Sequence, residues 1–203
     1  VSSGTSAKLM EYFNKVSGQT AKQSANTAAQ IAMMGKEMGV TASKMATDFE
    51  AASGRLTIYG NKSIEVFKDL AAAAKASGIE VQTLLNISKN FDDFSGAADR
   101  IAKLNAVLGT QLSTIEMMGA TDAERVMILR EQVQMSVGNF ESLDKYTKMY
   151  IAQAMGVSDV AEAQKLLNMS QSEYLKNQSK QKEAADVQRE LAAMTAELVP
   201  TMQ

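Results

Sequence analysis

Apolar residues recur at three- and four-residue steps along nearly the whole chain, and no stretch alternates with a period of two. That is the periodicity of amphipathic helices without strands. Between Thr5 and Gly39 the stripe Phe13, Val16, Thr20, Thr27, Ile31, Met34 and Met38 predicts one long helix, with Gly18 and Gly35 as its strongest breakers. Its neighbouring face carries Ala21, Ala25, Ala28 and Ala32, small enough for another helix to approach closely. Gly39-Val40-Thr41 predicts the joint that follows: glycine suits the left-handed position after a helix, and the Thr hydroxyl accepts from an orphan amide of the next one. A second long helix is predicted from Met45, Phe49, Ala52, Leu56, Tyr59, Ser63, Val66, Leu70 and Ala73, which alternate four- and three-residue steps. A 3.5-residue period is that of left-handed coiled packing. The pair is expected either as an antiparallel hairpin or as a coiled coil between copies of the chain.

From Gly78 the texture changes to short amphipathic segments, too short to be stable singly and therefore expected to pack as a small bundle. Their faces are Val81, Leu84, Ile87 and Phe91; Ala97, Ile101, Leu104 and Leu108; Val126, Leu129, Val133 and Val137; Leu143, Tyr146 and Tyr150; and Val160, Ala163 and Leu167. Ser113-x-x-Glu116, Thr121-x-x-Glu124 and Ser170-x-x-Glu173 fit the capping box, and Gly109, Gly119, Gly138 and Gly156 mark stops. The run from Lys176 to Glu183 has no apolar residue, which predicts a helix solvated on all sides or bridging two bodies. Ala184, Val187, Leu191, Met194 and Leu198 then restore an apolar seam until Pro200. The expected fold is all-α, with a long helical hairpin at 5–77, a compact bundle of short helices at 78–169 and a C-terminal extended helix at 170–203.

Composition narrows the chemistry. The 203 residues contain no histidine, no cysteine and no tryptophan, and Pro200 is the single proline. The commonest general base, thiolate ligands and disulfides are therefore excluded. The net charge of −2 is spread weakly: nine basic and six acidic residues in 1–75, five and eight in 76–140, seven and nine in 141–203. No cationic footprint for nucleic acid results. The charge-free stretch Leu104–Ile115 is far shorter than the ~20 apolar residues a membrane span needs. A chain opening on Val-Ser-Ser-Gly, without an initiator Met, reads as a piece of something larger.

Three features invite chemistry. Asp92, Asp93 and Asp99 surround Ser95-Gly96, but Phe94 and Ala97 stand where a calcium loop needs oxygen ligands, so an acidic helix start is expected instead. Glu141-Ser142 resembles the Glu-Ser pair with which lytic transglycosylases present a catalytic acid, which must sit in an apolar pocket to keep its proton. The Gly-Leu-Met-Gln-like turn of that family is not matched by Gln153-Ala-Met-Gly156, so Ser142 is expected as an N-cap with Glu141 beside it. The fourteen methionines fall mostly on apolar helical faces, with Met33, Met34, Met117, Met118 and Met202 expected at contacts with other subunits. No catalytic, cofactor-binding or metal-ligating residue is assigned.

Residues 47–169 also carry an ordered series of short runs: Thr47-Asp-Phe-Glu50, Arg55-Leu-Thr-Ile-Tyr-Gly60, Val66-Phe-Lys-Asp-Leu70, Ala76-Ser-Gly-Ile-Glu-Val81, Leu84-Leu-Asn-Ile87, Phe91-Asp-Asp-Phe94, Lys103-Leu-Asn105, Ile128-Leu-Arg-Glu131 and Ala152-Gln-Ala-Met-Gly-Val157. In order and spacing they resemble a recurring segment of tail tape measure proteins from contractile-tailed bacteriophages. The resemblance implies a non-enzymatic virion protein, made in the host cytoplasm, that occupies the tail lumen, sets tail length during assembly and leaves ahead of the genome. It implies baseplate hub and tail tube proteins as partners, and the heptad seams Met45–Ala73 and Ala184–Leu198 add self-association as a homo-oligomer. The many short helices suggest the anchored end near the hub, because they do not scale length. A wall hydrolase using Glu141 and a non-viral helical adaptor are the alternatives.

Overall fold

In the computed structural model, which describes residues 3–157, 159–180 and 183, every regular element is helical. The helices are α1 (Ser3–Ser17), α2 (Ala21–Glu37), α3 (Ala42–Leu56), α4 (Ser63–Ser77), α5 (Val81–Lys89), α6 (Phe94–Leu108), α7 (Thr114–Gly119), α8 (Asp122–Val137), α9 (Lys145–Met155) and α10 (Val160–Leu167). A further helix, α11, covers 171–180. The fold is all-α. The seam Ala184–Leu198, Pro200 and Met202 lie outside the described residues.

The long hairpin is not what forms, because each expected long helix is cut in two. Gly18 adopts φ 61°, a conformation that costs L side chains energy and glycine nothing. The chain then restarts with a capping box: Thr20 Oγ1 accepts from the Gln23 amide at 3.3 Å, and Gln23 Oε1 accepts from the Thr20 amide at 2.9 Å. Gly35, expected as a breaker, is instead inside α2 at its crossing with α3. A Cβ there would lie 3.0 Å from the Val40 carbonyl oxygen and 3.1 Å from Met45 Cβ, so the missing side chain sets how closely the two helices meet. The second interruption is a 3₁₀ segment at Thr57–Lys62, where Gly60 takes φ 53° and ψ −122°.

Despite the breaks, the apolar stripes are buried within one chain. Leu9 and Phe13 of α1, Ile31 and Met34 of α2 and Met38 just after it are buried; Val16 is the member of that stripe whose side chain lies outside the described set. The heptad positions Met45, Phe49, Ala52, Leu56, Ser63, Val66, Leu70 and Ala73 are all buried as well. That seam is filled by the chain's own α1, α2, α5 and α8 and is not left open for a coiled-coil partner. The ring pairs Phe13–Phe49 at 5.2 Å and Phe49–Phe67 at 4.9 Å join α1, α3 and α4.

Helices α1, α2 and α3 pack on one another as a three-helix bundle, and α3 docks on α4 and α5. Helix α8 is the hub of the remainder, touching α4, α5, α6 and α10. Buried apolar residues run in one core from Leu9 to Tyr174, across positions 77/78 and 169/170. The start of the apolar-free run is not solvated all round: Asn177 is buried and Gln178 donates to Asp69 at 2.8 Å, and just before the run Tyr174 is buried and Gln171 donates to Glu131 at 2.8 Å. Met34 and Met117, expected at subunit contacts, are core residues here.

Phe49 stands at the centre of the ring cluster, and truncating it leaves a cavity where three helices meet. Phe49→Ala should lower the unfolding free energy by about 3–5 kcal/mol. Ile58→Ala, at a site 69% exposed, should change it by less than about 0.5 kcal/mol. Urea denaturation of the two variants checks the contrast.

Candidate functional site

Six polar side chains from four parts of the chain converge where α3, α5 and α8 meet. Thr121 caps α8 with a complete capping box, its amide donating to Glu124 Oε2 at 2.7 Å, which places Asp122 at the first helical position. An acidic group there is favoured by the helix dipole, yet Asp122 is 0% exposed. A buried carboxylate must be paired. Arg55, in the last turn of α3, donates to it from Nε at 3.0 Å to each oxygen and from Nη2 to Oδ1 at 2.6 Å. Tyr59 of the 3₁₀ segment donates its hydroxyl to Asp122 Oδ2 at 2.9 Å and accepts from the Asp122 amide at 3.1 Å. Ser88 of α5 donates to Oδ1.

A second carboxylate closes the ring. Asp92, just after α5, accepts from both terminal nitrogens of Arg55, at 2.7 Å for Nη2, and from Arg125 Nη1 at 2.8 Å. Buried Arg125 also donates to the carbonyls of Met117 at 2.6 Å and Met118 at 3.2 Å. Those are orphan carbonyls at the end of α7. Two arginines and two aspartates leave the cluster without net formal charge. Burial pushes the Asp92 carboxyl up, but the hydrogen bonds of Arg55 and Arg125 outweigh it and hold the group below its ordinary value. Burial, together with the Asp122 charge, pushes the Tyr59 phenol up to about 12. The hydroxyl that donates to Asp122 therefore keeps its proton.

With both Asp122 oxygens held by donors, the arrangement acts as a brace. The other candidate residues are dispersed. Asp93 caps α6, accepting from the Gly96 amide at 2.7 Å, and Asp99 pairs with Lys103 at 2.6 Å. Among the described residues no group of three or more acidic side chains is placed to hold a metal ion, and no helix is long and apolar enough to cross a membrane. Glu141 is exposed on a 3₁₀ turn, accepting from Gln164 at 2.8 Å, and does not sit in an apolar pocket. Ser142 is not the N-cap of α9. Asp144 fills that place, accepting from the amides of Tyr146 at 2.9 Å and Thr147 at 3.1 Å.

Helix α9 also turns differently from expectation. Its buried face is Ile151, Ala152, Ala154 and Met155, and Tyr146 is 80% exposed. Tyr146, Met149, Tyr150 and Gln153 line an open groove of about 770 Å³ beside Arg100. Arg100 is committed to the end of α9, donating to the Gln153 carbonyl at 3.1 Å and to the Ala154 carbonyl at 3.3 Å. No protein family, curated protein or solved structure matches the chain.

Removing Asp122 takes the shared acceptor from Arg55, Tyr59 and buried Ser88. Asp122→Ala should destabilise the fold by about 3–5 kcal/mol, read from denaturant midpoints.

The pH response has two limbs. Asp92 is depressed in the folded state, so its contribution is present above the ordinary carboxylate pKa and is lost as the pH falls through the folded value. Tyr59 and Tyr174 are raised from 10.0 to about 12, so their contribution is present below pH 10 and is lost as the pH rises toward 12. Melting temperature should fall between those alkaline limits, and the double variant Tyr59→Phe, Tyr174→Phe should blunt that fall.

Proposed function

We propose that this chain is a compact, non-enzymatic segment of a phage tail tape measure protein, held near the baseplate hub rather than stretched along the tube. One observation carries the reading. The runs that resemble tape measure proteins supply the bend and three of the six side chains of the brace: Arg55, Tyr59 and Gly60 come from Arg55-Leu-Thr-Ile-Tyr-Gly60, and Asp92 from Phe91-Asp-Asp-Phe94. Residue types at that spacing have a folding role, so proteins sharing them are expected to share this packed unit. The fold also separates the two duties of a tape measure. A stretched helix of residues 3–180 would span about 270 Å at ~1.5 Å per residue, whereas a packed domain of that size is about 40 Å across. A packed unit suits an anchor, a plug or a hub-binding end, with tube and hub proteins as partners and the tail interior as its location.

Deleting residues 3–180 in frame from the phage protein tests the reading by electron microscopy of tails. Loss of assembled tails, or shortening by about 40 Å, the width of the packed unit, is expected. Shortening by about 270 Å would make the segment part of the ruler, and normal tails would remove it from tail assembly.

A further inference from the structure

The heptad that defines α3 and α4 does not break where the backbone does. Positions 45, 49, 52, 56, 59, 63, 66, 70 and 73 keep their four- and three-residue steps straight through the 3₁₀ segment. A continuous helix from 42 to 77 would therefore carry the same apolar seam on one side along about 54 Å. The bend itself contributes little to the core: no residue of Thr57–Lys62 is buried, and Ile58 is 69% exposed. What joins the two sides is a specific interface. Phe49 packs on Phe67, Arg55 bonds Asp92 and Asp122, and Lys44 pairs with Glu80.

We propose that residues 57–62 are a hinge for domain swapping, through which two copies of this chain exchange their α1–α3 bundles. With the hinge straight, α3 and α4 lie end to end and α3 no longer folds back on its own α4. The α1–α3 bundle of one copy then docks on α4, α5 and α8 of the other. The Phe49–Phe67, Arg55–Asp92, Arg55–Asp122 and Lys44–Glu80 contacts re-form between copies, so beyond association the exchange costs the Tyr59–Asp122 bonds made by the bend. The seam stays buried, and the gain is a regular helix in place of an irregular turn. Two features hold the closed form. Gly60 supplies φ 53° and ψ −122°, which L side chains adopt only with strain, and the Tyr59 hydroxyl ties the bend to Asp122. The occupant is a second copy because only this chain carries the matching bundle. The inference rests on the bend and the interface alone and holds whether or not the tape measure reading does.

Gly60→Ala tests it. A Cβ at Gly60 meets nothing within 4 Å, so the substitution acts through the backbone, disfavouring the bend and favouring the straight helix. Light scattering should show a dimer whose dissociation constant is lower than that of the parent by at least about 100-fold, about tenfold for each hinge. The chain has no cysteine, so the dimer's connectivity is readable. Gly60→Ala chains carrying Lys44→Cys are mixed with Gly60→Ala chains carrying Glu80→Cys, refolded together and treated with a short bismaleimide. A swapped dimer gives a covalent two-chain species on a denaturing gel. A monomer at concentrations of about 100 µM, or a dimer without that link, overturns the proposal. If Gly60→Ala fails to fold, the same two cysteine variants are made with Tyr59→Phe and the natural glycine and refolded at high concentration. There the inter-chain link is again expected, and its absence overturns the proposal.

Discussion

Asp122 is a full charge with no access to water, and the arrangement of α3, α5 and α8 follows from what it takes to keep it there. Its carboxylate needs donors on both oxygens, and no single element supplies them. Arg55 brings the end of α3, Tyr59 brings the bend and Ser88 brings α5, so satisfying one group fixes three segments against the start of α8. Apolar packing alone tolerates small rotations and slides of one helix over another. A buried charge with directional partners does not, because a displaced donor leaves a desolvated carboxylate behind.

Arg125, three residues on along the same face of α8, extends the same logic to α7. Its guanidinium spans Asp92 and the end carbonyls of α7, so one side chain pairs a carboxylate and closes a helix terminus. A six-residue helix such as α7 has almost no stability of its own, and the guanidinium is part of what holds it. The chain is thus chemically quiet in the sense of lacking histidine and cysteine, yet it places its few buried ions where geometry is decided.

The bend at Gly60 is the second constraint, and it is coupled to the first. Arg55 lies just before it and Tyr59 within it, so the brace and the reversal of direction are built from adjacent residues. Without the reversal, the heptad seam would have to find its partner outside the chain. With it, the seam is consumed inside, and the surface features left open are elsewhere, among them the groove beside Tyr146 and Met149.

The helical character, the faces of α5, α6, α8 and α10, and the caps at Thr41, Thr121 and Ser170 were legible because each depends on residues within one or two turns of each other. The break at Gly18 was legible in part. Its glycine is visible, and what makes the break firm is the Thr20–Gln23 capping box. The bend at Gly60 was hidden by a heptad that runs in phase through it, since periodicity reports which side of a helix is apolar and not whether the axis is straight. The brace was not legible at all: Arg55, Asp92 and Asp122 are separated by 37 and 67 positions from one end. Nothing local to any of them distinguishes a buried ion from a solvated one. Local chemistry determined the elements and their ends. Only the tertiary structure decided which charges meet, because pairing a buried charge is a property of the packed whole.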